Sequence, residues 1–227
     1  MKIFTKKIIG LLALVFAMAF SLKSQDIGDI YEGGYLFYID DSGMTGLVAA
    51  LEDFGPDYCI GPDCWGDVSG WGCWQQEVNG ADGTAIGTGY QNTLDIVAGC
   101  SDESMPASLA LEYEGGGYSD WYLPSIDELS ELNNAIGHGS PLGNIAGITT
   151  NWQYYWSSSE NPCCGGAYAI ALNANNGGTP NIYKLNDLHL RFIRSVTFEQ
   201  EVFGCTDATA FNYNSEANTD DGSCVAV

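Results

Sequence analysis

The chain has 227 residues and a formal net charge of −22, set by 29 acidic against 7 basic side chains. Four of the basic residues, Lys2, Lys6, Lys7 and Lys23, precede residue 25, so residues 25 to 227 keep Lys184, Arg191 and Arg194 against all 29 acids, a net of −26 (3 − 29). Such a charge repels phosphate polymers and anionic lipid, which excludes nucleic acid and unaided docking on acidic membranes as partners. Metal cations, neutral sugars and basic proteins remain.

Residues 1 to 24 have lysines ahead of an apolar run from Ile8 to Phe20 and a small polar exit from Ser21 to Ser24. That layout predicts a secretory signal peptide cleaved after Ser24 or Gln25. The run falls short of the roughly 20 apolar residues of a membrane span, so no transmembrane segment is expected. No cysteine lies near the cleavage point, which argues against a lipid anchor there.

Residues 33–40 (GGYLFYID) and 46–53 (GLVAALED) are apolar runs separated by DSGMT, a turn signal that predicts two antiparallel strands. From Phe54 to Gly89, Gly, Asp, Cys and Trp recur without a period, predicting a long loop held by disulfides and by Trp65, Trp71 and Trp74. Leu94, Val97 and Ala98 have helical spacing within residues 90–100, and residues 104–114 add a second short helix. In PSIDELSELNNAIG, Ser125 and Glu128 form a capping box, Ile126, Leu129, Leu132 and Ile136 form an apolar stripe, and Gly137 is the stop. Residues 153–160, 167–173, 181–186 and 190–198 are aromatic and branched, and read as an antiparallel meander. Strands, then helices, then strands predict an α+β domain over residues 25–200. Residues 204–224 form a separate acidic segment too short for its own core, which a staple or an ion must hold.

The eight cysteines all follow residue 24. An even count in an exported chain favours disulfides, and no Cys-x-x-Cys argues for zinc. Locality points to Cys205 with Cys224 and to Cys59 with Cys64; Cys163 and Cys164 either bond to each other or to separate partners.

GYSDWYLPSIDEL, with GGYLFYID and GLVAA before it and YYWSSSE, AYAI and LRFIRSV after it, resembles the family named for the C-terminal domain of the Legionella collagen-like adhesin. The resemblance runs from about Gly33 to Phe198. Many members end in Val-Arg-Pro-Val-Arg where this chain has Leu190 to Arg194, so both arginines are kept and the proline is not. The Trp-Tyr-Leu-Pro before a capped helix is also similar to the formylglycine-generating-enzyme-like and C-type-lectin-like group. The resemblance implies a C-type-lectin-like fold with an antiparallel sheet and a few helices. It also implies an adhesive surface module, with homo-oligomerisation among its possibilities. The tail is similar to short Gly-Cys-Thr-Asp...Asp-Asp-Gly-Ser-Cys repeats on secreted proteins of marine Bacteroidota. The adhesin's association with sulfated polyanions is opposed here by the charge of −26, so neutral glycan or extracellular protein is the expected partner.

Several residues invite a chemical reading. Tyr154, Tyr155 and Trp156, with Asn173, Asn175, Asn176 and Asn181, offer rings and amides to a sugar; asparagines equally suit turns, and strand alternation buries about half of such rings. Asp207, Asn212, Asn214, Asp220 and Asp221 supply hard oxygens for Ca2+ without the EF-hand order, and a solvated acidic loop is the competing reading. Asp120 and Glu128 are a lesser calcium pair, better explained by a turn and a helix cap. Ser157, Ser158 and Ser159 lack a nucleophile elbow. His138 and His189 have no visible catalytic partner, and Cys163–Cys164 does not match the spaced cysteines of formylglycine-generating enzymes. The expected function is therefore non-catalytic recognition, with a structural matrix or surface-layer component and a formylglycine-generating-type oxidoreductase as alternatives.

Overall fold

The computed structural model describes residues 25–54, 70–100, 105–148 and 154–227. The leader, Cys59, Cys64, Trp65 and Ser104 lie outside the described residues.

The first hairpin forms as its sequence predicts. Strands β2 (Gly34–Ile39) and β3 (Thr45–Ala50) pair antiparallel around the DSGMT turn, with β1 (Ile30–Tyr31) added at the edge of β2. Asp40 ties the turn: its carboxylate accepts from the Ser42 and Thr45 hydroxyls and from the Met44 and Thr45 amides. These donors hold its pKa down at about 2. Alternate residues of the hairpin then feed two cores, because neighbours on a strand point to opposite faces. Leu36 and Val48 join Trp71, Ile96, Trp121, Trp156 and Phe192 on one side. Phe37, Leu47 and Ala49 join Leu129, Leu132, Ile136, Tyr155 and Leu172 on the other.

Among the described residues three helices follow: α1 (Gly89–Gly99), α2 (Pro106–Glu112) and α3 (Ile126–Ile136). Helix α1 forms where the spacing of Leu94, Val97 and Ala98 predicts a helix, and its most buried face is a different one. Asn92, Thr93 and Ile96 are its buried side chains, while Leu94 is only half-buried and Ala98 is exposed. Polar residues go inward because each finds partners there: Asn92 donates to Gly83 O and Ser158 Oγ, and Thr93 Oγ1 exchanges hydrogen bonds with the Leu123 backbone.

Helix α3 matches its expectation residue for residue. Ser125 Oγ accepts from Glu128 N at 3.3 Å and Glu128 Oε2 accepts from Ser125 N at 2.7 Å, a complete capping box. The second Glu128 oxygen accepts from Gly87 N, so the cap also fastens the loop ahead of α1. Burial pushes the Glu128 carboxyl upward against these hydrogen bonds. We expect Ser125→Ala to cost about 1 kcal/mol of stability, read as a lowered urea midpoint with an unchanged m-value.

Strands β4 (Tyr154–Asn161), β5 (Tyr168–Asn173) and β6 (Asn181–Tyr183) form an antiparallel meander. The fourth predicted strand does not extend it. β7 (Ile193–Thr197) pairs with β3, giving a first sheet of order β1-β2-β3-β7. The crossing occurs at His189 to Phe192, where His189 bridges Tyr155 in parallel, Leu190 pairs with Phe54 and Phe192 O accepts from Ala50 N. Apolar Leu190 and Phe192 pull that stretch through the core instead of leaving it at the meander's edge.

Disulfides join Cys73 to Cys100 and Cys205 to Cys224. The second is the staple predicted for the tail, where β8 (Phe203–Gly204) and β9 (Thr219–Asp220) make a short parallel pair. The fold is α+β. No described helix is long and apolar enough to cross a membrane.

Candidate recognition face

The junction GYSDWYLPS is scaffold built around an arginine. Tyr118 lies under the Arg194 guanidinium at 3.8 Å, and Asp120 receives Arg194 Nε at 2.6 Å and Nη2 at 3.0 Å. Arg194 Nη1 also reaches the Glu32 carbonyl and carboxylate. Trp121 is fully buried and donates to Gly115 O and Tyr118 O. Tyr122 exchanges backbone hydrogen bonds with Ile193, and Pro124 O accepts from Ser158 N. Proline favours extended backbone before it, and that extended segment carries the first sheet into the cap of α3.

Every cation of residues 25–227 is used in this way. Arg191 donates to Asp53, Ala50 O and Ala146 O, each at 2.6 Å. Lys184 is ion-paired with Glu160, donates to Gln76 O and sits 4.4 Å from the Trp71 ring centroid. Desolvation lowers the Lys184 pKa against the pull of Glu160. With Lys184, Arg191 and Arg194 all buried, the exposed surface of residues 25–227 carries acidic but no Lys or Arg charge.

Groups that resemble catalytic ones are occupied structurally. Ser157 Oγ donates to Ile170 O, Ser159 Oγ donates to Gly83 O and accepts from Ile126 N, and Ser158 Oγ accepts from Asn92. His138 is exposed beyond α3, and the His189 ring packs 5.4 Å from Tyr155.

The predicted sugar-binding residues divide into two groups. Tyr155 and Trp156 are fully buried, with Tyr155 Oη donating to Asp53 and Trp156 Nε1 to Asn186 O. Asn173 is buried and its Oδ1 accepts from Asn175 N, while Tyr154 is half-buried against the first core. Asn175, Asn176 and Asn181 are exposed on the β5–β6 connection and the start of β6.

Two residues missed in the sequence lie near Asn181, at the end of the β5–β6 pair away from Asn175 and Asn176. Tyr168 and Tyr183 are directly opposed on β5 and β6, with ring centroids 4.4 Å apart at 55°. Tyr168, Ile170 and Leu172 share one face of β5. The α3 core covers Leu172 and part of Ile170, then leaves Tyr168 half-buried and Tyr183 46% exposed beside Asn181. The result is an aromatic platform with a neighbouring amide on a hydrogen-bonded sheet. Alternation in AYAIALN placed Tyr168 opposite Ala169, but no sequence signal showed where α3 would stop covering the face.

The predicted calcium residues are spread along tight turns. Asp207 Oδ1 accepts from Thr209, Asn214 Oδ1 from Glu216 N, Asp220 Oδ1 from Gly222 N and Asp221 Oδ1 from Ser223 N. Asn212 bridges Ser223 O and Val225 N. These side chains serve their own turns, and among the described residues no group of three His, Cys, Asp or Glu is arranged to hold a metal ion.

A separate groove of about 320 Å3 runs beside the first hairpin, lined by Tyr38, Thr45, Leu47, Ile86, Ser195 and Thr197 among others. No protein-family model matches the chain, and no curated protein matches it.

Proposed function

We propose that this chain is an exported, lectin-like recognition module of the adhesin-domain kind, without chemistry of its own, that takes a neutral glycan or an extracellular protein on the β5–β6 face. The observation that carries the reading is the pairing of exposed Tyr183 with half-buried Tyr168, flanked by Asn181. A tyrosine ring offers an apolar face to the C–H side of a sugar, and an amide both donates to and accepts from its hydroxyls. Both tyrosines stand on paired strands, so little ordering entropy is lost on binding. The acidic surface supports neutral or basic partners over sulfated polyanions, which it repels.

The test is a glycan-array screen of purified residues 25 to 227, with calcium and again with chelator. Binding to a defined neutral sugar supports the reading, and loss of that binding in chelator would bring calcium into it. Silence in both conditions, together with self-association in sedimentation, would favour the structural-matrix alternative.

A further inference from the structure

Cys163 and Cys164 sit in the turn between β4 and β5, both exposed, with their Sγ atoms 2.8 Å apart. That spacing lies inside non-bonded contact for two sulfurs. Adjacent side chains on an extended strand point to opposite faces, so the turn itself has to bring these two together. Asn161 Oδ1 accepts from Cys163 N at 2.9 Å. Cys164 then takes a left-handed φ of 65°, rare for a residue other than glycine, and Gly165 and Gly166 follow at 66° and 72°. Gly166 lies so close to the Gln76–Glu77 backbone that a Cβ would collide with it, which anchors the turn to the loop bearing Cys73. The other four described cysteines are already bonded to one another.

We propose that Cys163 and Cys164 form a redox-labile vicinal disulfide, a modification site that exchanges with thiols and disulfides outside the protein. Closure takes two electrons and two protons from the pair. One cysteine thiolate attacks the S–S bond of a disulfide oxidant, expels one thiolate and leaves a mixed disulfide. The neighbouring thiolate attacks the cysteine sulfur of that mixed disulfide and expels the second, and the two released thiolates take up the protons. Opening by a dithiol is the reverse exchange.

Lability follows from adjacency. Consecutive Cα atoms are about 3.8 Å apart, below the roughly 4.4 Å lower limit of ordinary disulfides. Cys73–Cys100 and Cys205–Cys224 span 5.3 Å and 4.8 Å. A bridge forced below the ordinary span is easier to reduce, so the vicinal pair opens first.

The experiment treats residues 25 to 227 with glutathione disulfide, alkylates with iodoacetamide and maps the peptides by mass spectrometry. The expected result is a peptide in which Cys163 and Cys164 carry no alkyl group and together lack two hydrogens. Dithiothreitol should open it at about tenfold lower concentration than Cys73–Cys100 or Cys205–Cys224. Cys163→Ser should leave Cys164 holding a single glutathione. Glutathione retained on the wild-type pair, a link from either cysteine to another part of the chain, or opening only together with Cys73–Cys100 and Cys205–Cys224 would each overturn the proposal.

Discussion

Replacing Arg191 by alanine is expected to remove about 3 to 5 kcal/mol of folding stability, the cost of breaking a buried ion pair from one side. The Arg191 guanidinium is 1% exposed and serves three acceptors: the Asp53 carboxylate, the carbonyl at the end of β3 and the Ala146 carbonyl. Without it Asp53 keeps only the Tyr155 hydroxyl among these two donors, and two buried carbonyls lose their partner. A domain of this size has a total stability of about 5 to 15 kcal/mol, so the variant would be near its unfolding threshold at room temperature. Arg191→Lys should recover only part of the loss, because an ammonium cannot reproduce the fixed fork. Urea unfolding of the three proteins checks the order wild type, Lys, Ala. Equal midpoints would show that the guanidinium does not join these segments.

Trp121→Ala is expected to cost about 3 to 5 kcal/mol as well, through a cavity instead of a stranded charge. The ring is fully buried, stands edge-on to Tyr113 at 5.4 Å and donates to two loop carbonyls. Trp121→Phe keeps much of the volume and loses the donor, so it should fall between wild type and alanine. It also separates scaffold from site. Ligand binding by Trp121→Phe should equal that of the wild type, whereas a ligand-contacting Trp121 would lose binding in the phenylalanine variant too.

Local rules were the legible ones. The capping box, the α3 stripe, the DSGMT hairpin and the Cys205–Cys224 staple each depend on residues close in sequence, and each forms as read. Long-range choices were not legible. The path of β7 to β3 rests on Leu190 and Phe192 threading the core, and strand pattern alone cannot distinguish that from a fourth meander strand. Polarity misleads most at Tyr183 and Lys184, where the aromatic residue faces out and the cation is buried. The inversion is possible because Glu160 lies within reach of Lys184, a partner 24 residues away that no local pattern reveals. In the same way Asp120 reads as a turn residue until Arg194, 74 residues on, reaches its carboxylate.

The central claim concerns the face where Tyr168 meets Tyr183, and the most direct measurement compares wild type, Tyr183→Ala and Tyr168→Ala/Tyr183→Ala on the same glycan array. Tyr183 is 46% exposed, so its truncation should leave the fold standing, which matching circular dichroism and urea midpoints would verify. The account predicts that the single variant binds the neutral sugar about tenfold more weakly, or about 1.4 kcal/mol, and that the double variant gives no signal. Undiminished binding by a folded double variant would contradict it and move the search to the groove beside Tyr38 and Thr45.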